Sequence, residues 1–170
     1  MDLDQITKGM GKSWKLIVLP LLFWGLGLHA QQTNGKIGDA RSQVRKVVEI
    51  FFEGFHKQDS SLILSTVAPG IALQTTSRDS QGKTRFSTED FSKFVQSIVS
   101  IPDSIAYEER LTSFSIQVNQ GLANAWVGYE FWVNGEFSHC GVNSFQMVNF
   151  DGHWKIVHLI DTRGKEDCPD

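Results

Sequence analysis

Two kinds of hydrophobic spacing divide this chain. In the first half apolar residues recur three and four apart. Val44, Val47, Val48, Phe51, Phe52 and Phe55 form one stripe, which predicts a helix over about residues 40–57 with Asp39 as its cap. Asp59 or Ser60 can cap a second, shorter helix carrying Leu62, Ile63 and Val67, stopped by Pro69-Gly70. Ile71, Leu73 and Thr75 then alternate with Ala72, Gln74 and Thr76, as in a strand. A turn at 80–82 and a short return strand at 84–86 complete a hairpin. Ser87 with Asp90 resembles a capping box, and Phe91, Phe94, Val95, Ile98 and Val99 give the stripe of a third helix that closes before Pro102.

After Ile105 the period changes to two, and four strands follow in a row. Asn134-Gly135 and Asp151-Gly152 suit two-residue hairpins, whose central positions need positive φ. Asn119-Gln120-Gly121 suits a three-residue hairpin. These turns set a register: Glu130 opposite His139, Trp126 opposite Asn143, Phe145 opposite His158, Phe114 opposite Trp126 and Arg110 opposite Glu130. One face then carries Phe114, Ile116, Val118, Trp126, Trp132, Phe145, Met147, Trp154, Ile156 and Ile160, and is expected to be concave and covered by the helices. The other holds smaller or more polar groups together with Tyr129, Phe131, Val142, Val157 and Leu159. That face is too apolar to leave bare, so a second subunit is expected to cover it.

The start of the chain does not fit the fold pattern. Lys8, Lys12 and Lys15 precede an apolar run at 16–28, and Ala30 offers a small residue for cleavage. This is the layout of a secretory signal peptide over 1–30. An uncleaved anchor is the alternative, although the run is short for a membrane span. The expected organisation is a signal peptide (1–30), a flexible lead-in (31–38), one domain (39–164) and a short tail (165–170), with an exported product, periplasmic or secreted, that keeps no stable membrane anchor. Without residues 1–30 the formal charge moves from −3 to −4, with 13 Lys+Arg against 17 Asp+Glu. That balance offers no electrostatic footprint for nucleic acid. Of twelve Phe and five Trp in the chain, all but Trp14, Phe23 and Trp24 lie beyond the leader, enough to line a pocket as well as fill a core. Cys140 and Cys168 are expected to form a disulfide in an oxidising compartment, two free thiols being the alternative. Their spacing does not suit zinc.

The candidate chemistry lies in the meander. Arg110, Glu130 and His139 would form one row across neighbouring strands. A carboxylate held between a guanidinium and an imidazole could move a proton or bind a polar ligand head, or the row could be a cross-strand charge ladder. Asn143 and His158 would lie deeper, near Phe145, Trp126 and Ile160. They could hydrogen-bond a ligand, or be satisfied by each other or by Thr112 and Asn124. Gly128 and Gly141 would face each other, leaving room or letting the sheet bend. Strict alternation puts Asp161 and Arg163 on the opposite face in a structural role, which a bulge in the last strand would reverse.

Three helices, a hairpin between them and a long four-strand meander, with Gly152, Trp154, Lys155 and Ile156 in the last strand and the stretches 139–143 and 161–163, resemble the nuclear transport factor 2-like superfamily, including its SnoaL-like and ketosteroid isomerase-like branches and its exported bacterial members. The resemblance implies an α+β, cone-shaped fold with three N-terminal helices on a strongly curved, mostly antiparallel sheet. It does not imply one activity. Ketosteroid isomerase-like members hold a carboxylate base near the second helix and first strand, and residues 71–76 contain no acid; Asp79 is in the turn. The catalytic sets of the related epoxide hydrolases and of scytalone dehydratase have no clear counterpart here.

Three functions are therefore expected in turn. The first is an exported domain binding a small apolar or amphipathic molecule through Arg110, Trp126, Glu130, His139, Asn143, Phe145 and His158. The second is an isomerase, dehydratase or cyclase without cofactor or metal, with His139, Glu130 and His158 as candidate acid and base. The third is an interaction domain with a vestigial pocket, homodimeric through the convex face.

Overall fold

The computed structural model describes residues 25–166 and 168–169. Of the expected signal peptide, residues 1–24 lie outside the described residues. The order is α1 (Gly25–His56), α2 (Ser60–Thr66), β1 (Val67–Arg78), β2 (Thr84–Glu89), α3 (Phe91–Val99), β3 (Tyr107–Asn119), β4 (Leu122–Val133), β5 (Glu136–Phe150) and β6 (His153–Arg163). The three helices and four-strand meander fall where the spacing placed them. Helix α1 begins at Gly25, so the segment expected as a loose lead-in is helical. Two aspartates start the other helices: Asp59 accepts from the Leu62 N–H at 3.0 Å, and Asp90 accepts from the Lys93 N–H at 3.0 Å and from the Ser92 hydroxyl. Each satisfies an N–H that has no partner inside its helix. Asp90 is thus the cap itself, in place of Ser87.

The strands form one six-stranded sheet in the order β2-β1-β6-β5-β4-β3, antiparallel except for β1 beside β6. The fold is α+β, with the helices packed on the concave face of a curved sheet. The stripe of α1 (Val44, Val48, Phe51, Phe52 and Phe55) is buried against Ala123, Ala125, Val127, Phe145, Met147, Trp154 and Ile156 from the sheet. Phe145 meets Phe51 and Phe52 edge-on, at 6.0 and 6.1 Å between ring centroids.

Register is where sequence and structure part. The two-residue turns are as expected: Val133 pairs with Glu136 and Phe150 with His153. Asn134 (φ 52°) and Gly135 (φ 80°) are both left-handed, as that turn requires. The first turn is shorter than expected. Asn119 pairs with Leu122, and Gln120 (φ 52°), not Gly121, is left-handed. Three bulges then each leave one residue unpaired: Thr112 in β3, Ser138 in β5 and Val157 in β6. A bulge of one residue moves every later side chain to the other face. Glu130 therefore pairs with Cys140 and not His139, Trp126 with Ser144 and not Asn143, and His158 with Gln146 and not Phe145. Phe114 pairs with Val127 and not Trp126. Arg110 does pair with Glu130, because the shortened turn and the Thr112 bulge cancel.

Trp126, expected in the concave face, is half exposed on the convex one, whereas Tyr129 and Leu159, expected outside, are buried within. Gly128 faces Val142, and Gly141 faces Tyr129. Neither glycine makes room for a ligand. A Cβ on Gly141 would lie 1.9 Å from the Thr162 carbonyl oxygen, and one on Gly128 would lie 2.5 Å from Ser113 Oγ and 3.2 Å from Pro169 Cγ. They permit close packing. The expected Cys140–Cys168 disulfide is formed, with Cα atoms 5.5 Å apart. It brings the tail back across the convex face, where Thr112 Oγ1 donates to the Pro169 carbonyl at 3.2 Å.

Candidate functional site

Between α1, α3 and the far half of the concave face lies a cavity of about 250 Å³. One side is apolar: Phe51, Phe52, Phe55, Leu73, Phe94, Ile98, Phe131 and Leu159. The other carries Glu109, Tyr129, His139, Asn143, Asp161 and Arg163, and Thr75, Glu89 and Ser97 complete the lining. The four strands β3 to β6 supply the groups from Glu109 to Arg163, and two of the bulges aim them. Along β3, Phe114, Ile116 and Val118 pack on the core. Unbroken alternation would bring Arg110 inward, but the bulge at Thr112 brings Leu111, Glu109 and Tyr107 inward instead. Along β6, Trp154 and Ile156 pack on the core, and the bulge at Val157 brings Leu159, Asp161 and Arg163 inward in place of His158 and Ile160.

Glu109 is held from both sides. Its backbone N–H donates to His56 Nε2 at 2.9 Å, and its Oε1 accepts from Asn143 Nδ2 at 2.7 Å. Tyr107 O–H donates to the Phe55 carbonyl at 2.7 Å, which fastens the same stretch of β3 to α1. Burial disfavours the charged form of Glu109, and the Asp161 carboxylate adds to this. Together they outweigh the Asn143 hydrogen bond and push the Glu109 carboxyl up to about 7. Burial also lowers the proton affinity of His139, helped by the Arg163 guanidinium, which favours the neutral imidazole. Its ring stacks on Phe131 at 4.9 Å.

Asp161 is buried. Its Oδ2 accepts from Arg163 Nε at 2.7 Å, whereas its Oδ1 has no hydrogen-bond partner among the described residues. Tyr129 lies within the influence of Asp161 and Glu109, and burial with these two acids raises its phenol far above the usual value. It gives its one proton to the Thr162 carbonyl at 2.8 Å. The site thus pairs a carboxyl that changes charge near neutrality with a second, buried carboxylate held by Arg163. Such a set can hold a polar ligand group or exchange a proton with one. Among the described residues no cluster of His, Cys, Asp and Glu suits a metal ion.

Of the residues singled out in the sequence, His139 and Asn143 line this cavity. Phe145 shares their face but is packed into the core beneath it. The other four lie on the convex face. Arg110 donates to Glu108 at 2.8 Å and stacks on Trp132 at 4.3 Å. Glu130 accepts from Trp132 Nε1 at 3.0 Å, His158 Nε2 hydrogen-bonds Gln74 Oε1 at 2.9 Å, and Trp126 is half exposed. The row of Arg110, Glu130 and His139 is therefore split across the sheet. Glu109 and Tyr129 were missed, and Asp161 and Arg163 were assigned to the wrong face. The only signal for them was the conditional one, a bulge in the last strand.

No family model matches the chain, and no curated protein does. Solved structures do. The chain is similar to an NTF2-like protein from Cytophaga hutchinsonii, with a TM-score of 0.58 and 12% identity over 73% of this chain and 98% of that one. It is similar to an NTF2-like protein of unknown function from Shewanella baltica (TM-score 0.55, 12% identity, 75% and 96% covered). A protein of unknown function with a cystatin-like fold from Nostoc punctiforme matches at a TM-score of 0.56 and 16% identity, over 75% and 92%. At these identities the likeness establishes the fold, and the fold is NTF2-like.

Proposed function

We propose that this NTF2-like domain is an exported binding module that encloses a small, mostly apolar molecule and orients it by a few polar groups. The observation that supports it is the cavity of about 250 Å³ with aromatic walls and a polar end. Ligand sites have this composition, and the volume lies just below the roughly 300–1,000 Å³ of drug-sized pockets, so the ligand is compact. The disulfide Cys140–Cys168 agrees with an oxidising compartment, as does the leader-like start of the sequence. No described helix is long and apolar enough to cross a membrane.

The test is mass spectrometry of small molecules released from the native exported protein, beside a Thr75→Phe variant that fills the cavity wall. A molecule present in the first and absent from the second supports binding; no molecule in either contradicts it. A second reading, acid–base catalysis without a cofactor, is favoured by Glu109, whose carboxyl is poised near 7. It uses Glu109 with His139 in place of Glu130 and His158. Pairing with a second copy through the convex face stays part of the proposal. It now rests on Trp126, 50% exposed, and Leu122, 54% exposed, since Tyr129, Phe131 and Leu159 are turned inward. Sedimentation showing a monomer for the oxidised protein would remove it.

A further inference from the structure

The charges and lone pairs on the cavity wall say more about the ligand than the volume does. Three acids line it, Glu89, Glu109 and Asp161, against one guanidinium, that of Arg163. Arg163 is spent on Asp161. Neither Glu89 nor Glu109 has a cation at ion-pair distance among the described residues. Asp161 acts through its charge alone, since its unpaired Oδ1 is sealed from solvent. Glu109 differs: Oε1 accepts from Asn143, while Oε2 has no partner among the described residues and is not sealed. Glu89 stands exposed on the edge strand β2. Two hydroxyls of the wall add acceptors. Ser97 gives its proton to the Phe94 carbonyl at 2.7 Å and Tyr129 gives its own to the Thr162 carbonyl at 2.8 Å, so both oxygens have only lone pairs left to offer. The lining is therefore short of positive charge and rich in acceptors. An anion would meet the acids with Arg163 already paired. A cation would exchange its hydration for a carboxylate and for aromatic faces, which attract positive charge.

We propose that the ligand is a compact protonated amine, its ammonium group donating to Glu109 Oε2 and its apolar body lying against Phe51, Phe55 and Phe131. This rests on the cavity reading above and adds the chemical class to it. A positive ligand beside Glu109 favours the ionised carboxyl, so binding drives the Glu109 proton into the buffer, and affinity rises as pH carries Glu109 through its transition near 7. The other groups around Glu109 do not produce this slope. Asp161, Arg163 and Glu89 hold their charges across the range, and the Tyr129 phenol stays protonated. His56 and His139 have lowered proton affinities and titrate below Glu109.

The experiment is calorimetric titration of the oxidised, exported protein with benzylamine, benzyl alcohol and benzoate, which share a shape and differ in charge. Above neutrality benzylamine is expected to bind at least about tenfold more tightly than the alcohol, through a hydrogen bond between charged partners, and benzoate more weakly than either. Between about pH 6 and about pH 8 the affinity for benzylamine, which stays protonated throughout, is expected to rise about five- to tenfold with release of a proton, and that for the alcohol is not. In Glu109→Gln the amine and the alcohol are expected to fall within about threefold of each other and the slope to vanish. Glu108→Gln removes a neighbouring charge on the convex face and is expected to keep the wild-type ranking. The wild-type ranking and slope need no variant, so they decide the matter if Glu109→Gln does not fold. The alcohol or benzoate binding the wild type as tightly as the amine would overturn the amine assignment and leave the binding module standing. An amine preference unchanged in Glu109→Gln would also overturn it. No binding by any of the three would overturn it too, while the search for a co-purifying molecule would still decide the binding module.

Discussion

The two halves of the concave face differ although the same strands build both. In the half near the first and last turns, Ala123, Ala125, Phe145, Met147 and Ile156 are fully buried against α1. In the other half, Glu109, Tyr129, His139, Asn143, Asp161 and Arg163 surround a cavity. Between the halves lie the bulges at Thr112 and Val157. Without them the far half would receive Arg110 from β3 with His158 and Ile160 from β6. With them it receives Glu109, Asp161 and Arg163. One added residue in each of two strands therefore changes the chemistry of the site without changing the packing below it, the use bulges have beside functional sites elsewhere.

The contrast can be broken first by truncating one aromatic in each half. Phe145→Ala, in the solid half and wedged between Phe51 and Phe52, is expected to cost about 3–5 kcal/mol in urea unfolding. Phe131→Ala, at the cavity wall, is expected to cost about 1–2 kcal/mol, because that ring already lacks neighbours on one side. Equal costs would mean that the far half is packed in solution. Next in size is the pH dependence. Glu109 holds its proton up to about 7 when folded and near the usual 4.5 when unfolded. The native state thus binds more protons in that window, and stability falls as pH rises from about 4.5 to about 7. Allowing for partial exposure, the loss is about 2–3 kcal/mol, and Glu109→Gln should abolish it. His139 acts in the opposite sense. Its folded proton affinity is lowered, so it removes stability as pH falls below about 6.5, and the comparison of wild type with Glu109→Gln separates the two. The smallest effect belongs to the convex face: Trp126→Ala should change stability by about 1 kcal/mol or less. A core-sized loss would place that ring in an interface.

Much of the fold was legible because its signals are local. The stripe from Val44 to Phe55 and the acids Asp59 and Asp90 mark the helices, and Asn134-Gly135 and Asp151-Gly152 mark the hairpins. The cystine was legible from compartment and tail length. The site was legible only in part. His139 and Asn143 lie between the bulges at Ser138 and the end of β5, so alternation along that strand holds for them. Glu109 and Asp161 lie beyond Thr112 and Val157, and neither bulge has a composition that announces it; no glycine marks either position. Alternation carried past an unseen bulge is wrong for every later residue, which is why Arg110 and His158 were placed inside and Asp161 and Arg163 outside. Arg110 opposite Glu130 came out right through two opposite shifts of one residue, and the pair still lies on the other face.

The central claim is that the Thr112 bulge turns Glu109 out of water and into the cavity, and the most direct test is the titration of that one carboxyl. In protein labelled with carbon-13 at glutamate, NMR follows each side-chain carboxyl with pH, and Glu109→Gln assigns the resonance. The account predicts a midpoint near 7 for Glu109, well apart from the other glutamates. A midpoint at the ordinary value of about 4.3 would put Glu109 in solvent and contradict the placement of the site.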